Sequence, residues 1–127
     1  MGRAVEDYLK VIFELGGTRR YVGNTEIARR LGVKPSSVTE MLKKLDSMGL
    51  VDYRPWIGVK LLSRGLEMAL EVSKRNRVIR IFLQRILGLE EEKASREACK
   101  LEHVISDETL GRMIELIKEA EIPEELP

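Results

Sequence analysis

Between Asn24 and Leu62 the hydrophobic period changes once, and glycines cut up everything before the change. Gly16-Gly17, Gly32 and Gly49 divide the first half into helical pieces. Helices of fewer than about 12 residues are marginal in water, so such pieces must be held by packing on one another. After Gly49 the apolar spacing drops from the 3.6 of a helix to the 2 of a strand. Helix, glycine turn, helix, hairpin is the chain order of a winged helix-turn-helix.

The spacing predicts a helix over 2–15, with Val5, Tyr8, Leu9, Ile12 and Phe13 on one stripe. Asn24 reads as the N-cap of a second helix over 25–31, closed by Gly32. Pro35 marks the start of a third over 36–48, because its missing N–H costs nothing in a first turn. Strands are expected at 50–54 and 59–62, with Pro55-Trp56-Ile57-Gly58 as the turn. A long helix over 64–87, one over 89–105 and one capped by Ser106 and reaching 120 complete the pattern. The acidic tail IPEELP is expected to fray. The fold class is therefore mainly α with a small β-hairpin. It divides into a winged helix-turn-helix domain over 1–63 and a helical domain over 64–127.

Composition narrows the function. Charged residues at 34 % and hydrophobic ones at 43 % exclude a disordered chain. No apolar run approaches the roughly 20 residues of a membrane span. The charged start MGRAVEDYLK does not read as an export signal. With that start, the single cysteine points to a reducing, cytoplasmic setting. Net charge is +1 overall, but residues 1–62 carry +4 and residues 63–127 carry −3. A basic half and an acidic half suggest two tasks.

The basic half has the residues of a DNA reader. Ser36, Ser37, Thr39 and Glu40 open the second helix of the helix-turn-helix, where side chains face base edges. Lys34 precedes them, and Lys43 and Lys44 follow within reach of phosphates. The helix N-terminal amides at Ser36 and Ser37 suit a phosphate as well. Tyr53, Arg54, Trp56 and Lys60 fall on or near the wing. Taken singly, the serines and Thr39 are better read as caps and the lysines as a solvated face; it is the ordered set, with a wing behind it, that points to DNA. A winged helix can also serve as a protein-interaction module without DNA.

The acidic half has a second cluster. In EACKLEH, Cys99, Glu102 and His103 stand at i, i+3 and i+4, on one helix face if the helix continues. Thiolate, carboxylate and imidazole are first-row metal ligands, and these are the only Cys and His of the chain. Three ligands do not close a site, so a fourth must come from elsewhere. The alternative is a small buried cysteine beside a surface Glu and His. An enzyme is not expected, because the chain has no second histidine and no Gly-rich phosphate loop.

VEDYLKVIFEL at 5–15, EIARRLGVKPSSVTEMLKKLDSMGLV at 26–51 and EACKLEHVISDE at 97–108 carry a resemblance. The chain resembles the metal-dependent repressors of the diphtheria toxin repressor and manganese transport regulator family. The resemblance implies a winged helix domain followed by a helical domain that dimerises and supplies metal ligands. Many relatives add an SH3-like domain, for which 127 residues leave no room. It implies the ligand set Asp7, Cys99, Glu102 and His103, and operator DNA bound by a homodimer. Manganese regulators pair Asp with Glu at the Asp7 and Cys99 positions, and iron regulators pair Met with Cys, so this chain mixes the two. The family's second metal falls on Lys10 and Asn76, with further ancillary positions at Arg80 and Ser95, a set poorly suited to a cation. One divalent ion per subunit is expected, iron(II) first and manganese second. The alternative is a metal-independent regulator.

Overall fold

The computed structural model describes residues 2–120; the tail at 121–127 lies outside the described residues. The chain divides into two compact units, one up to Leu70 and one from Glu71.

In the first unit, α1 (Arg3–Glu14), α2 (Asn24–Leu31) and α3 (Pro35–Ser47) precede β1 (Val51–Arg54) and β2 (Gly58–Leu61). The strands pair antiparallel, Val51 opposite Leu61 and Arg54 opposite Gly58. Val22 bridges the outer edge of β2, exchanging hydrogen bonds of 2.8 and 2.9 Å with Val59. Leu9, Ile12, Ile27, Val38, Leu42, Leu45 and Val59 are fully buried in its core. Each helix thus contributes the apolar stripe that its sequence period announced. α4 (Ser63–Ile81) follows, and Gly65 at its start lets the chain approach the Leu50 carbonyl, where a Cβ would collide with backbone.

The start of α2 differs from expectation. Gly23, not Asn24, is the N-cap, because the Glu26 side chain reaches back to accept from the Gly23 amide at 3.0 Å. Arg20 holds the same carboxylate from the other side, at 2.8 and 3.2 Å. The Arg20 hydrogen bonds, then the Gly23 one, pull the Glu26 carboxyl down to about 2. A depressed folded-state value stabilises the protein above the ordinary carboxylate range, and that gain disappears as pH falls towards 2. The Glu26 side chain is 39 % exposed, so Glu26→Gln is expected to cost only about 1 kcal/mol at neutral pH after solvent screening. Urea unfolding should show the gap between variant and parent closing from pH 4.5 down to about 2. A gap independent of pH would show that the carboxylate charge contributes nothing.

The second unit begins within α4 and contains a π-helical turn (Phe82–Ile86), α5 (Glu91–Leu101) and α6 (Asp107–Glu119). Val78, Ile79, Ala94, Ala98 and Ile117 form its core, with Leu83 and Leu110 also buried. The helix expected to run unbroken to 87 widens at Phe82, whose carbonyl accepts from the Leu87 amide. The helix expected over 89–105 is shorter at both ends. Glu90 is extended and caps it, and at the far end Arg75 Nε donates to the Glu102 carbonyl at 2.9 Å. Ser106 caps α6 as expected, its hydroxyl accepting from the Thr109 amide. No helix among the described residues is long and apolar enough to cross a membrane.

Candidate metal centre and nucleic-acid interface

In the second unit, Glu102 is the C-cap residue of α5 and His103 stands in the turn beyond it. Their side chains are 1 % and 3 % exposed, with Glu102 Oε2 lying 3.3 Å from His103 Nε2. Asn76 of α4, also buried, donates from Nδ2 to Glu102 Oε1 at 2.7 Å. Arg80, one turn on, donates from Nε to Asn76 Oδ1 at 2.8 Å. A carboxylate this deep is costly unless other groups compensate it, and Asn76 and His103 are within reach to do so. Cys99 is exposed, and its Sγ meets the cluster at its edge, 4.0 Å from Asn76 Nδ2. The structure therefore brings Glu102 and His103 together and leaves Cys99 beside them, because α5 ends before it can set all three on one face. A buried oxygen and nitrogen donor with a thiol alongside fit a first-row divalent cation. Asn76 and Arg80 were legible only as departures from a ligand pattern, and the chain of bonds from Arg80 to Asn76 and from Asn76 to Glu102 had no sequence signal.

Asp7 lies in α1 of the first unit, half-buried, with Arg3 Nε 3.7 Å from its Oδ2.

The first unit also carries the expected DNA-facing residues. Lys34 caps α3, Pro35 opens it, and Lys34, Ser36, Ser37, Glu40, Lys43 and Lys44 are all exposed. Two expectations change. Thr39 Oγ1 is held within the fold, accepting from Asn24 Nδ2 at 2.9 Å and lying 3.2 Å from the Pro35 carbonyl, so it braces α3 against α2. The Ser37 amide donates to the Lys34 carbonyl at 3.0 Å, which leaves it turned into the first turn instead of towards a phosphate.

At the wing, Arg54 is exposed and Lys60 half-buried. Both cations sit over the Tyr21 ring, 5.1 and 4.8 Å from its centre. Tyr21 donates to Asp52 Oδ2 at 2.7 Å, which pushes its phenol up. The sequence reading missed Tyr21, which fixes both wing cations, because its partners lie more than thirty residues away. Between α3 and the wing runs a groove of about 550 Å³, lined by Asn24, Thr39, Lys43, Tyr53, Trp56 and Ile57 among others.

Comparison with known proteins matches both units. Residues 1–59 match the iron dependent repressor N-terminal DNA binding domain, and residues 63–124 match the iron dependent repressor metal binding and dimerisation domain. An uncharacterized HTH-type transcriptional regulator of Methanocaldococcus jannaschii, MJ0568, is 46 % identical over 114 residues, 89 % of this chain and 91 % of its own length. The transcriptional regulator MntR of Escherichia coli is 38 % identical over 106 residues, 84 % of this chain and 68 % of its own. A solved manganese-dependent transcriptional repressor in complex with manganese superposes with a TM-score of 0.80 at 33 % identity, over 90 % of this chain and 52 % of that one. The chain thus spans about half the length of such solved regulators.

Proposed function

The chain belongs to the iron-dependent repressor family, and from that premise we propose that it is a metal-dependent transcriptional repressor. It binds palindromic operator DNA as a homodimer when each subunit holds one divalent ion. Residues 1–63 read the DNA, and residues 64–127 dimerise and supply ligands. The observation that carries this reading is the buried Glu102–His103 pair, a donor set with no role in closing the apolar core.

The proposed ligands are Asp7, Cys99, Glu102 and His103, with Asp7 taken from the resemblance. A bound divalent cation supplies positive charge to the buried Glu102 carboxylate. The protein's own part is to hold the donors. Arg75 fixes the Glu102 backbone, and Asn76 sets the plane of its carboxylate. In DNA binding, Lys34, Lys43, Lys44, Arg54 and Lys60 supply cations for phosphates, while Ser36, Ser37 and Glu40 face the bases. Thr39 supports them from behind. The protein is a regulator and not an enzyme. In the homodimer, exposed Leu87, Val104 and Leu116 are apolar residues offered to a partner, since Leu83, Leu110 and Ile117 are spent on the unit's own core.

Asn76 and Arg80 bond to each other at the position where a second ion's ligands are expected. Titration calorimetry should therefore saturate near one equivalent per subunit. Two tight equivalents overturn the assignment. The soft Cys99 thiolate ranks iron(II) above manganese. Mobility shifts of duplex DNA, run anaerobically with iron(II), with manganese and with chelator, test the function itself. Metal-enhanced binding is expected, strongest with iron(II). Binding that ignores both ions favours a metal-independent regulator.

A further inference from the structure

The wing turn is closed by the Ile57 amide donating to the Arg54 carbonyl at 3.0 Å, so Pro55 and Trp56 are its central residues. Trp56 has φ +69, and it is the sole non-glycine residue with positive φ among the described residues. Proline followed by a positive φ is the pattern of a type II turn, whose second central position favours glycine or asparagine. A tryptophan there is strained. Burial does not compensate the strain, because Trp56 is 104 % exposed, and Ile57 beside it is 58 % exposed. The turn leaves a large apolar ring exposed to solvent.

We propose that Trp56 is an apolar wedge that enters the minor groove of bound duplex DNA and stacks there on a base step. The inference rests on the DNA-binding reading above and adds the contact that reading lacks. Two observations select DNA as the occupant. Trp56 and Ile57 line the same groove as Thr39 and Lys43, so the tip is continuous with the surface of α3. Arg54 adjoins the tip and Lys60 lies on β2 opposite Asp52; both are held over Tyr21, and although Arg54 Nε lies 3.3 Å from Asp52 Oδ2, two cations against one carboxylate leave the wing positive where phosphates border a groove. An apolar side chain flanked by cations is also the arrangement by which minor-groove proteins part a base step. The deformation is cheapest at pyrimidine–purine steps, so the wedge contributes specificity at base pairs that α3 does not touch.

Trp56 is the chain's single tryptophan, so its fluorescence reports the contact directly. Metal-loaded protein is titrated with random-sequence duplexes of about 30 base pairs, roughly three helical turns, and the same samples are run in mobility shifts. Complex formation is expected to change Trp56 emission and protect it from acrylamide. Trp56→Gly, which suits the turn, is expected to melt no lower than the parent and to bind about fivefold or more weakly, while Trp56→Phe retains most of the affinity. Trp56→Gly should leave the salt dependence of binding unchanged, whereas Arg54→Ala should reduce it. A shifted complex whose tryptophan stays open to acrylamide, with Trp56→Gly binding as tightly as the parent, overturns the wedge and leaves the repressor reading intact. Absence of any complex overturns both. Protection that rises with protein concentration and needs no DNA overturns the wedge in favour of contact between copies of the chain.

Discussion

Glu102→Gln is expected to remove most of the metal response of DNA binding while leaving the fold in place. Gln keeps the shape of the side chain and an oxygen to accept from Asn76 Nδ2, so the 2.7 Å bond can persist in a site 1 % exposed. What it loses is the negative charge that a divalent cation needs from this donor. At a free metal concentration about 100 times its dissociation constant, binding to one form alone biases the equilibrium by about 2.7 kcal/mol, about a hundredfold in operator affinity. With Gln at this position the enhancement should fall below about tenfold at the same metal concentration, because one charge-bearing ligand is gone. Anisotropy of a labelled duplex, measured against free iron(II), gives the comparison. Melting of the metal-free proteins should agree to within a few degrees. A variant that responds to metal like its parent shows that Glu102 is structural.

The second large effect is on stability. Gly58→Ala is expected to cost about 3 kcal/mol or more, through a strained backbone and a forced contact together. Gly58 has φ +135, a region that residues with a Cβ scarcely enter. An added Cβ would stand 2.5 Å from the Val22 carbonyl oxygen and 2.9 Å from its carbon. Val22 cannot retreat easily. It is fully buried, and both its backbone groups are bonded to Val59. Urea unfolding followed by far-ultraviolet circular dichroism would register the loss as a lower midpoint. A cost under about 1 kcal/mol would show that the Val22 bridge yields, contrary to its burial and its two hydrogen bonds.

Local chemistry made most of the fold legible. Gly32, with φ +68, ends α2 where the sequence reading placed its end, and Pro35 opens α3 one residue earlier than expected. The hairpin's strands fell within one residue of their expected limits at each end. The misplaced cap of α2 was a matter of weighing: Asn24 is the stronger cap by type, but Glu26 is spaced to serve Gly23. The overlong helix around Cys99 had another cause. Its end is set by Arg75, which binds the Glu102 carbonyl and Asp107 from a different helix. No periodicity within 89–105 records that. The same distance effect hid the brace between Asn24 and Thr39 and the bond from Asn76 to Glu102. Residue types announced the proposed donors at Glu102 and His103, and tertiary contacts decided how they face.

Arg75 has a consequence for timing. It clasps the turn between α5 and α6 at both ends, at 2.9 Å each, through groups that are not donors to an ion. The segment carrying Glu102 and His103 is therefore ordered by its own scaffold. Little conformational entropy remains to be lost there when a cation arrives. Preorganisation of this kind lets affinity follow donor chemistry, and it removes a folding step from that turn. Occupancy of the proposed site would then follow a falling ion concentration on the timescale of ligand exchange, with no wait for the chain to refold.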